Sequence, residues 1–283
     1  MLVILGAIVV AASVLGGYVL SKGQLAALWQ PFELLIIGGA AFGAFLIANP
    51  FSTIKAVFAS IPRMLMGSRF DKLFYMDLLS LLYDLFEKAR RQGIMAIEQD
   101  IDEPENSDIF LAYPAVMRAQ PVIEFITDYL RIVSAGNMAP HELEGLMDQE
   151  IETRLHELEK PAEAVNKVAD AMPGFGIVAA VLGIVITMNY MGGPPEELGL
   201  HVAAALVGTF FGILAAYGFV GPASLALMNL AHQEIRAYEC VKAAILASLS
   251  GLAPQLAVEF GRKVLESDKR PSFLELNEYV RSH

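Results

Sequence analysis

Four stretches of this sequence contain no Asp, Glu, Lys or Arg, and each is long enough to cross a bilayer as a helix. Residues 2–20, 34–54, 171–195 and 198–233 run for 19, 21, 25 and 36 residues without a formal charge. About 20 mostly apolar residues span a hydrocarbon core. A backbone in lipid must also satisfy its own hydrogen bonds, which a helix does within one segment. The fold class read from this is all-α: a polytopic membrane protein with four transmembrane helices and a helical cytoplasmic domain. The expected organisation is a first span at 1–21, a second at 33–50, a polar helical loop at 51–170, a third span at 171–192, a fourth at 200–223 and a helical tail at 224–283. The fourth uncharged stretch is longer than a bilayer needs at about 1.5 Å per residue, so its helix should run on beyond the membrane.

Composition agrees. Charged residues make up 18% of the chain and hydrophobic ones 55%, with a mean hydropathy of +0.50; soluble domains carry about a quarter charged residues. Cys240 is the single cysteine, so neither an internal disulfide nor a thiolate zinc site is available. A net charge of −11 argues against nucleic acid as a partner, because that would require a basic face.

Orientation follows from the basic residues. Of the 20 Lys and Arg, 12 fall in 50–170 and 7 in 231–283, while Lys22 lies in the short first connection and none in the connection between spans three and four. The long loop, the tail and both termini are therefore expected on the cytoplasmic side. Tyr18 and Trp29 flank the outer connection, where amphipathic rings anchor. The first stretch has no basic lead-in and a long apolar run, and it is read as a retained span rather than a cleaved signal.

Small residues crowd the spans. Gly39 and Gly43 form one GxxxG pair and Gly208 and Gly212 another, and the third span carries Gly174, Gly176, Ala179, Ala180 and Gly183. Such residues let helix backbones approach closely in lipid, either within one chain or between copies around a central space. No Asp, Glu, Lys or Arg lies in a span interior, and Glu33 stands only at an entrance. Ion pathways generally use an ionisable group inside the membrane, so an ion-conducting role would need a carboxylate from another chain. Pro173 and Pro222 sit in the third and fourth spans and free the carbonyls of Ala169 and Gly218. They are either static kinks or hinges.

In the polar loop, apolar residues at 75, 78, 79, 82, 85 and 86 form a helical stripe. Gly93 is expected to end that helix just after Arg90 and Arg91. Glu98 follows among apolar neighbours. These charges either form a solvated face or touch a partner. A helix-like acidic segment, 141–160, has Pro161 directly after it. Catalytic patterns fail: both His141-Glu142 and His156-Glu157 lack the second histidine four residues on that a zinc site requires, since Gly145 and Lys160 stand there. The Gly174-x-Gly176 run lies inside an apolar span rather than after a strand, so it is no dinucleotide loop. No enzyme activity is expected.

Four spans, the long loop between the second and third, Pro173-Gly174-Phe175-Gly176, Gly208-Thr209-Phe210-Phe211-Gly212-Ile213, Pro222 and the tail Val258–Lys263 together resemble the MotA/TolQ/ExbB proton-channel family, specifically its flagellar stator branch. That resemblance covers essentially the whole chain. It implies a bacterial inner-membrane protein that forms a pentameric ring around a MotB-type subunit. The MotB-type helix supplies the ion-binding aspartate, and the cytoplasmic loop pushes on the rotor switch protein FliG. By matching positions it implies Arg90 and Glu98 as rotor contacts, and Pro173 and Pro222 as the prolines of conformational coupling. It places Ala180 and Thr209 along the ion path. Sodium-driven relatives tend to carry threonine where Ala180 stands, so the ion expected is the proton rather than sodium. No cofactor and no metal are implied. The alternative within the family is a TolQ- or ExbB-like energiser of envelope transport, but those relatives usually have three spans.

Overall fold

A computed structural model of the chain describes residues 2–136 and 138–282, and every regular element among them is helical. In chain order the helices are α1 (Leu2–Leu20), α2 (Leu25–Leu28), α3 (Pro31–Ala48), α4 (Phe51–Met66), α5 (Lys72–Gln92), α6 (Glu98–Asp102), α7 (Asp108–Leu111), α8 (Pro114–Met117), α9 (Gln120–Ala135), α10 (Pro140–Met188), α11 (Pro195–Ala215), α12 (Gly221–Leu249), α13 (Pro254–Val264) and α14 (Phe273–Ser282). Short 3₁₀ turns fill Ile94–Ile97 and Pro104–Asn106, and Ala216–Val220 is π-helical. Four segments are long and apolar enough to cross a membrane by length and composition: Leu2–Leu20, Leu25–Ala48, Pro140–Met188 and Pro195–Leu249. The chain divides into two compact units, one formed by the residues up to Gly67 with Leu158–Leu230, the other by Ser68–Glu157 with the residues from Ala231 onward. Residues 51–67, 158–170 and 224–230 thus group with the apolar spans rather than with the polar loop and tail.

In the first unit, the seam between α10 and α11 is backbone against backbone. A methyl group built on Gly176 would stand 3.0 Å from the Gly208 carbonyl oxygen and 3.2 Å from the Gly212 Cα. One built on Gly212 would stand 2.8 Å from the Met172 oxygen and 2.9 Å from the Gly176 Cα. Further along, a Gly183 methyl would meet the Ala205 Cβ at 2.8 Å. Lipid tails are as apolar as leucine, so helices in a bilayer associate through packing of this kind rather than through hydrophobic burial. The two GxxxG pairs differ: Gly208 and Gly212 are used inside the chain, whereas nothing lies within 4 Å of a methyl built on Gly39 or Gly43.

The second uncharged stretch does not continue as one helix. Asn49 precedes a proline and is extended (φ −125°, ψ 138°), as the steric demand of the following ring requires. Its amide donates to the Phe45 carbonyl at 2.8 Å. The chain then forms α4, whose Val57 buries with Phe45 of α3 and Ala164 of α10 while Phe51 and Phe58 stay exposed. Helix α10 passes through Pro161 and Pro173 without interruption, so the acidic segment and the third span are one helix of 49 residues.

In the second unit, α5 is the central element. Asp71 caps it by accepting from the Phe74 amide at 2.9 Å, and Gly93, at φ 92°, ends it. The expected stripe is buried along its full length, from Tyr75 to Phe86, and Leu81 joins it at 0% exposure. Against α5 lie α13 and α14, the Tyr75 phenol donates to the Gln233 carbonyl of α12 at 3.2 Å, and Phe125 of α9 meets Tyr238 of α12 edge to face. Gly261 permits the approach of α13, since a methyl there would stand 2.8 Å from the Cys240 carbonyl oxygen. Cys240 packs as a buried apolar group, and burial pushes its thiol pKa up. The Val258–Lys263 motif turns out to be a structural staple. The Arg262 guanidinium, nearly buried, pairs with both carboxylate oxygens of Glu259 and donates to the Pro271 carbonyl at 2.8 Å. The C-terminal helix docks back on α5 through Tyr279, which donates to Asp77 at 2.6 Å, and through the Lys72–Glu275 pair at 2.8 Å.

Two outcomes follow from these contacts. Arg262→Ala leaves the Glu259 carboxylate half-buried without its partner, a loss of about 3 kcal/mol for a broken buried pair. Thermal unfolding of the purified protein in detergent should show a clearly lowered midpoint. Gly212→Val drives a branched side chain into the Gly176 backbone, overpacking worth about 1–3 kcal/mol. It should lower the amount of folded protein recovered from membranes, whereas Gly39→Ala, where the space is open, should leave recovery unchanged.

Candidate functional site

Arg90 lies in the last turn of α5, where a cation complements the negative end of the helix dipole. Its neighbour Arg91 pairs with Glu87 one turn back at 2.6 Å, whereas Arg90 is exposed and forms no ion pair among the described residues. The stem of Arg90 borders an open cleft of about 430 Å³, walled by Phe86, Ile94, Ile97, Leu130, Ile245 and Leu249. After α5, Gly93 reverses the chain at a positive φ that other residues rarely adopt. The 3₁₀ turn then buries Ile97, and Glu98 opens α6 half-exposed, its carboxylate without a hydrogen bond or ion pair within the described residues. Both charges expected at the rotor contact therefore stand on the same unit, on either side of one tight turn, and both are unengaged.

The turn that carries Glu98 is held from several sides, by residues the sequence reading did not single out. Lys88 of α5 reaches Asp100 Oδ2 at 2.6 Å, and the Ser107 hydroxyl donates to Asp100 Oδ1 at 2.7 Å. From α9, Arg131 donates to Asp102 at 2.8 Å and to the Ile101 carbonyl at 2.7 Å. Ile97 and Ile101 are both at 0% exposure. The following segment is tied to α5 by Tyr113, whose phenol donates to Asp84 at 2.7 Å. Burial and that carboxylate together push the Tyr113 pKa up. Sequence spacing hinted at the Lys88–Asp100 pair only weakly, because the two lie 12 residues apart across a glycine turn.

In the apolar unit, Ala180 and Thr209 flank the glycine seam. A methyl on Gly208 would stand 3.5 Å from the Ala180 nitrogen, and one on Gly176 would stand 3.3 Å from the Thr209 Cα. Both are partly exposed at the seam's edge. The segments carrying the two prolines meet at Gly221 and Ala169. Pro173 removes the partner of the Ala169 carbonyl, and Gly221, just before Pro222, faces the Ala169 Cβ at 4.0 Å from its own methyl position. Ahead of Pro222 the helix widens into the π turn, where the Gly221 amide bonds back to the Ala216 carbonyl. That register makes room for a ring that would otherwise collide with the Gly218 carbonyl. One turn later, the buried Ser224 hydroxyl donates to the Ala162 carbonyl of α10 at 2.8 Å. Toward the other end of α11, His201 stacks on Tyr190 with ring centroids 4.3 Å apart, a titratable group that a search for Asp, Glu, Lys and Arg passes over. No grouping of three His, Cys, Asp or Glu that could hold a metal occurs among the described residues.

The chain matches the family described as "Motility protein A N-terminal" over residues 4–93, and the "MotA/TolQ/ExbB proton channel family" over residues 118–240. It is 48% identical to "Motility protein A" of Salmonella typhimurium and 46% identical to that of Escherichia coli, each match covering 100% of this chain and 96% of the relative. It is 42% identical to "Chemotaxis protein LafT" of Vibrio parahaemolyticus over 98% of this chain and 97% of that one. The fold is that of two solved assemblies. The Campylobacter jejuni MotAB structure superposes with a TM-score of 0.79 at 20% identity, covering 95% of this chain and 98% of that one. The flagellar MotAB stator complex of Bacillus subtilis gives 0.69 at 23% identity, covering 90% and 92%. With its glycine-seamed apolar spans and helical polar unit, the chain belongs to the motility protein A family, within the MotA/TolQ/ExbB proton-channel proteins.

Proposed function

We propose that this chain is the larger membrane subunit of a flagellar stator, which works with a MotB-type partner as a proton channel and turns ion flow into torque on the rotor. The observation that carries this reading is the full-length similarity to motility protein A relatives. That similarity favours the flagellar role over an energiser of envelope transport. The chain sits in the bacterial inner membrane, with its termini, polar loop and tail in the cytoplasm, as the distribution of Lys and Arg supports. Its spans carry no Asp, Glu, Lys or Arg in their interiors, so the MotB-type helix brings the ion-binding carboxylate. Several copies, five by family resemblance, surround that helix.

The mechanism assigned to the geometry has two parts. Along the α10–α11 seam, Ala180 and Thr209 border the ion path, and a site without an added hydroxyl at Ala180 suits a proton better than a partly dehydrated sodium ion. Protonation of the partner's carboxylate biases the seam, and the paired turns at Pro173 and Pro222 relay the change toward the cytoplasm. Neither proline leaves a fully bonded helix behind it, so bending there costs fewer hydrogen bonds than elsewhere. In the polar unit, Arg90 and Glu98 are the charges offered to FliG. An exposed charge steers and registers a partner more than it adds raw affinity, which suits a contact that must form and release repeatedly. The chain's part is thus conduction and force transmission rather than bond-making chemistry.

The double reversal Arg90→Glu with Glu98→Lys should abolish swimming while the chain stays in the membrane, measured by motility in soft agar and by immunoblot of membrane fractions. Unchanged swimming would remove the rotor-contact assignment. Pro222→Ala should likewise suppress motility without loss of the chain from membranes, and normal swimming would remove the hinge assignment. Co-expression with a MotB-type partner lacking its plug should acidify the cytoplasm, read with a pH-sensitive fluorescent protein. No leak would overturn the channel assignment.

A further inference from the structure

The turn that presents Glu98 is only five residues long, α6 from Glu98 to Asp102, too short to hold its own shape in water. Its geometry has to be imposed from outside. Asp100 does this in a way no other acid of the segment does. It is 8% exposed, both of its oxygens are engaged, and its partners come from two different places: Lys88 in the last turns of α5 at 2.6 Å, and Ser107, which opens α7, at 2.7 Å. Lys88 lies two residues before Arg90, and Asp100 lies two residues after Glu98. The clasp therefore joins the segment carrying the free cation to the segment carrying the free anion. A half-buried ion pair that also receives a hydroxyl is a directional constraint, since breaking it leaves a charge with few other partners.

We propose that Asp100, gripped by Lys88 and Ser107, is a positioning residue that sets the separation of Glu98 from Arg90, so that one partner surface of alternating charge meets both at once. This rests on the rotor-contact reading of Arg90 and Glu98. The partner surface it implies presents an acidic group to Arg90 and a basic group to Glu98, at a spacing fixed by the clasp and not by the flexible side chains alone. Arg131, which holds the Asp102 carboxylate and the Ile101 carbonyl, braces the same turn from α9.

Double-mutant cycles test this in motile cells, with torque read from beads tethered to filament stubs and the chain quantified in membranes. Asp100→Asn should lower torque per stator by at least about twofold when Glu98 is present, and should cost nothing further in a Glu98→Gln background. A residue that merely stabilises the fold would lower torque equally in both backgrounds, and that result overturns the proposal. The exchange Lys88→Asp with Asp100→Lys should restore most of the torque that Asp100→Lys alone removes; failure to restore it, with the chain present at normal level, also overturns the proposal. If Asp100→Asn reduces the chain in membranes, Lys88→Gln, at the more exposed partner of the pair, serves in its place with the chain quantified in the same way. Should Glu98→Gln itself leave torque unchanged, the rotor-contact reading fails, a result distinct from equal losses in both backgrounds.

Discussion

The contact on which the apolar unit depends is the meeting of two backbones at Gly176, Gly208 and Gly212. Oil cannot drive helices together in oil, so the packing energy must come from many close atomic contacts and from carbonyl and Cα groups brought near one another. Only residues without side chains allow that approach here, because a methyl on Gly212 would fall 2.8 Å from a carbonyl oxygen. Ala180 and Thr209 gain their setting from this seam. On the same side of α10, Met172 faces Gly212 of α11 and Ala169 faces Gly221 of α12.

The polar unit is built on different physics. There water supplies the drive, and α5 buries Leu78, Leu79, Leu81, Leu82 and Leu85 with α13 and α14 packed against it. Around that core, charge is used as fastening. Arg262, paired with Glu259, fixes α13 to the chain that follows it through the Pro271 carbonyl, Lys72 and Tyr279 fix α14, and Lys88 and Arg131 fix the Glu98 turn. Arg90 and Glu98 take no part in this fastening. A charged residue that the fold does not use is available for a partner, and here two such residues flank a single turn.

Much of this was legible from residue order. The uncharged stretches, the stripe from Tyr75 to Phe86 and the stop at Gly93 all follow from short-range rules of hydropathy, periodicity and glycine conformation, and the structure carries each of them. Helix ends beside proline were less legible. Asn49-Pro50 does end a helix, while Pro161 and Pro173 do not interrupt α10. The residue before the proline differs, a weak helix former at Asn49 and stronger ones at Lys160 and Met172. The Val258–Lys263 motif could be quoted from the sequence, but its reason, a buried guanidinium that spans to Pro271, lies in contacts that no spacing rule reveals.

The sequence by itself determined that the chain is helical and membrane-spanning, and which charges lie where, because length, hydropathy and charge act within a segment of about one helix. The tertiary structure alone decided which glycines are contacts and which face open space, that Gly221 beside Pro222 faces Ala169 of α10, and that Asp100 rather than its acidic neighbours is clasped to α5. Those outcomes depend on groups far apart in the chain arriving within a few ångströms of one another. Local sequence carries no record of that distance.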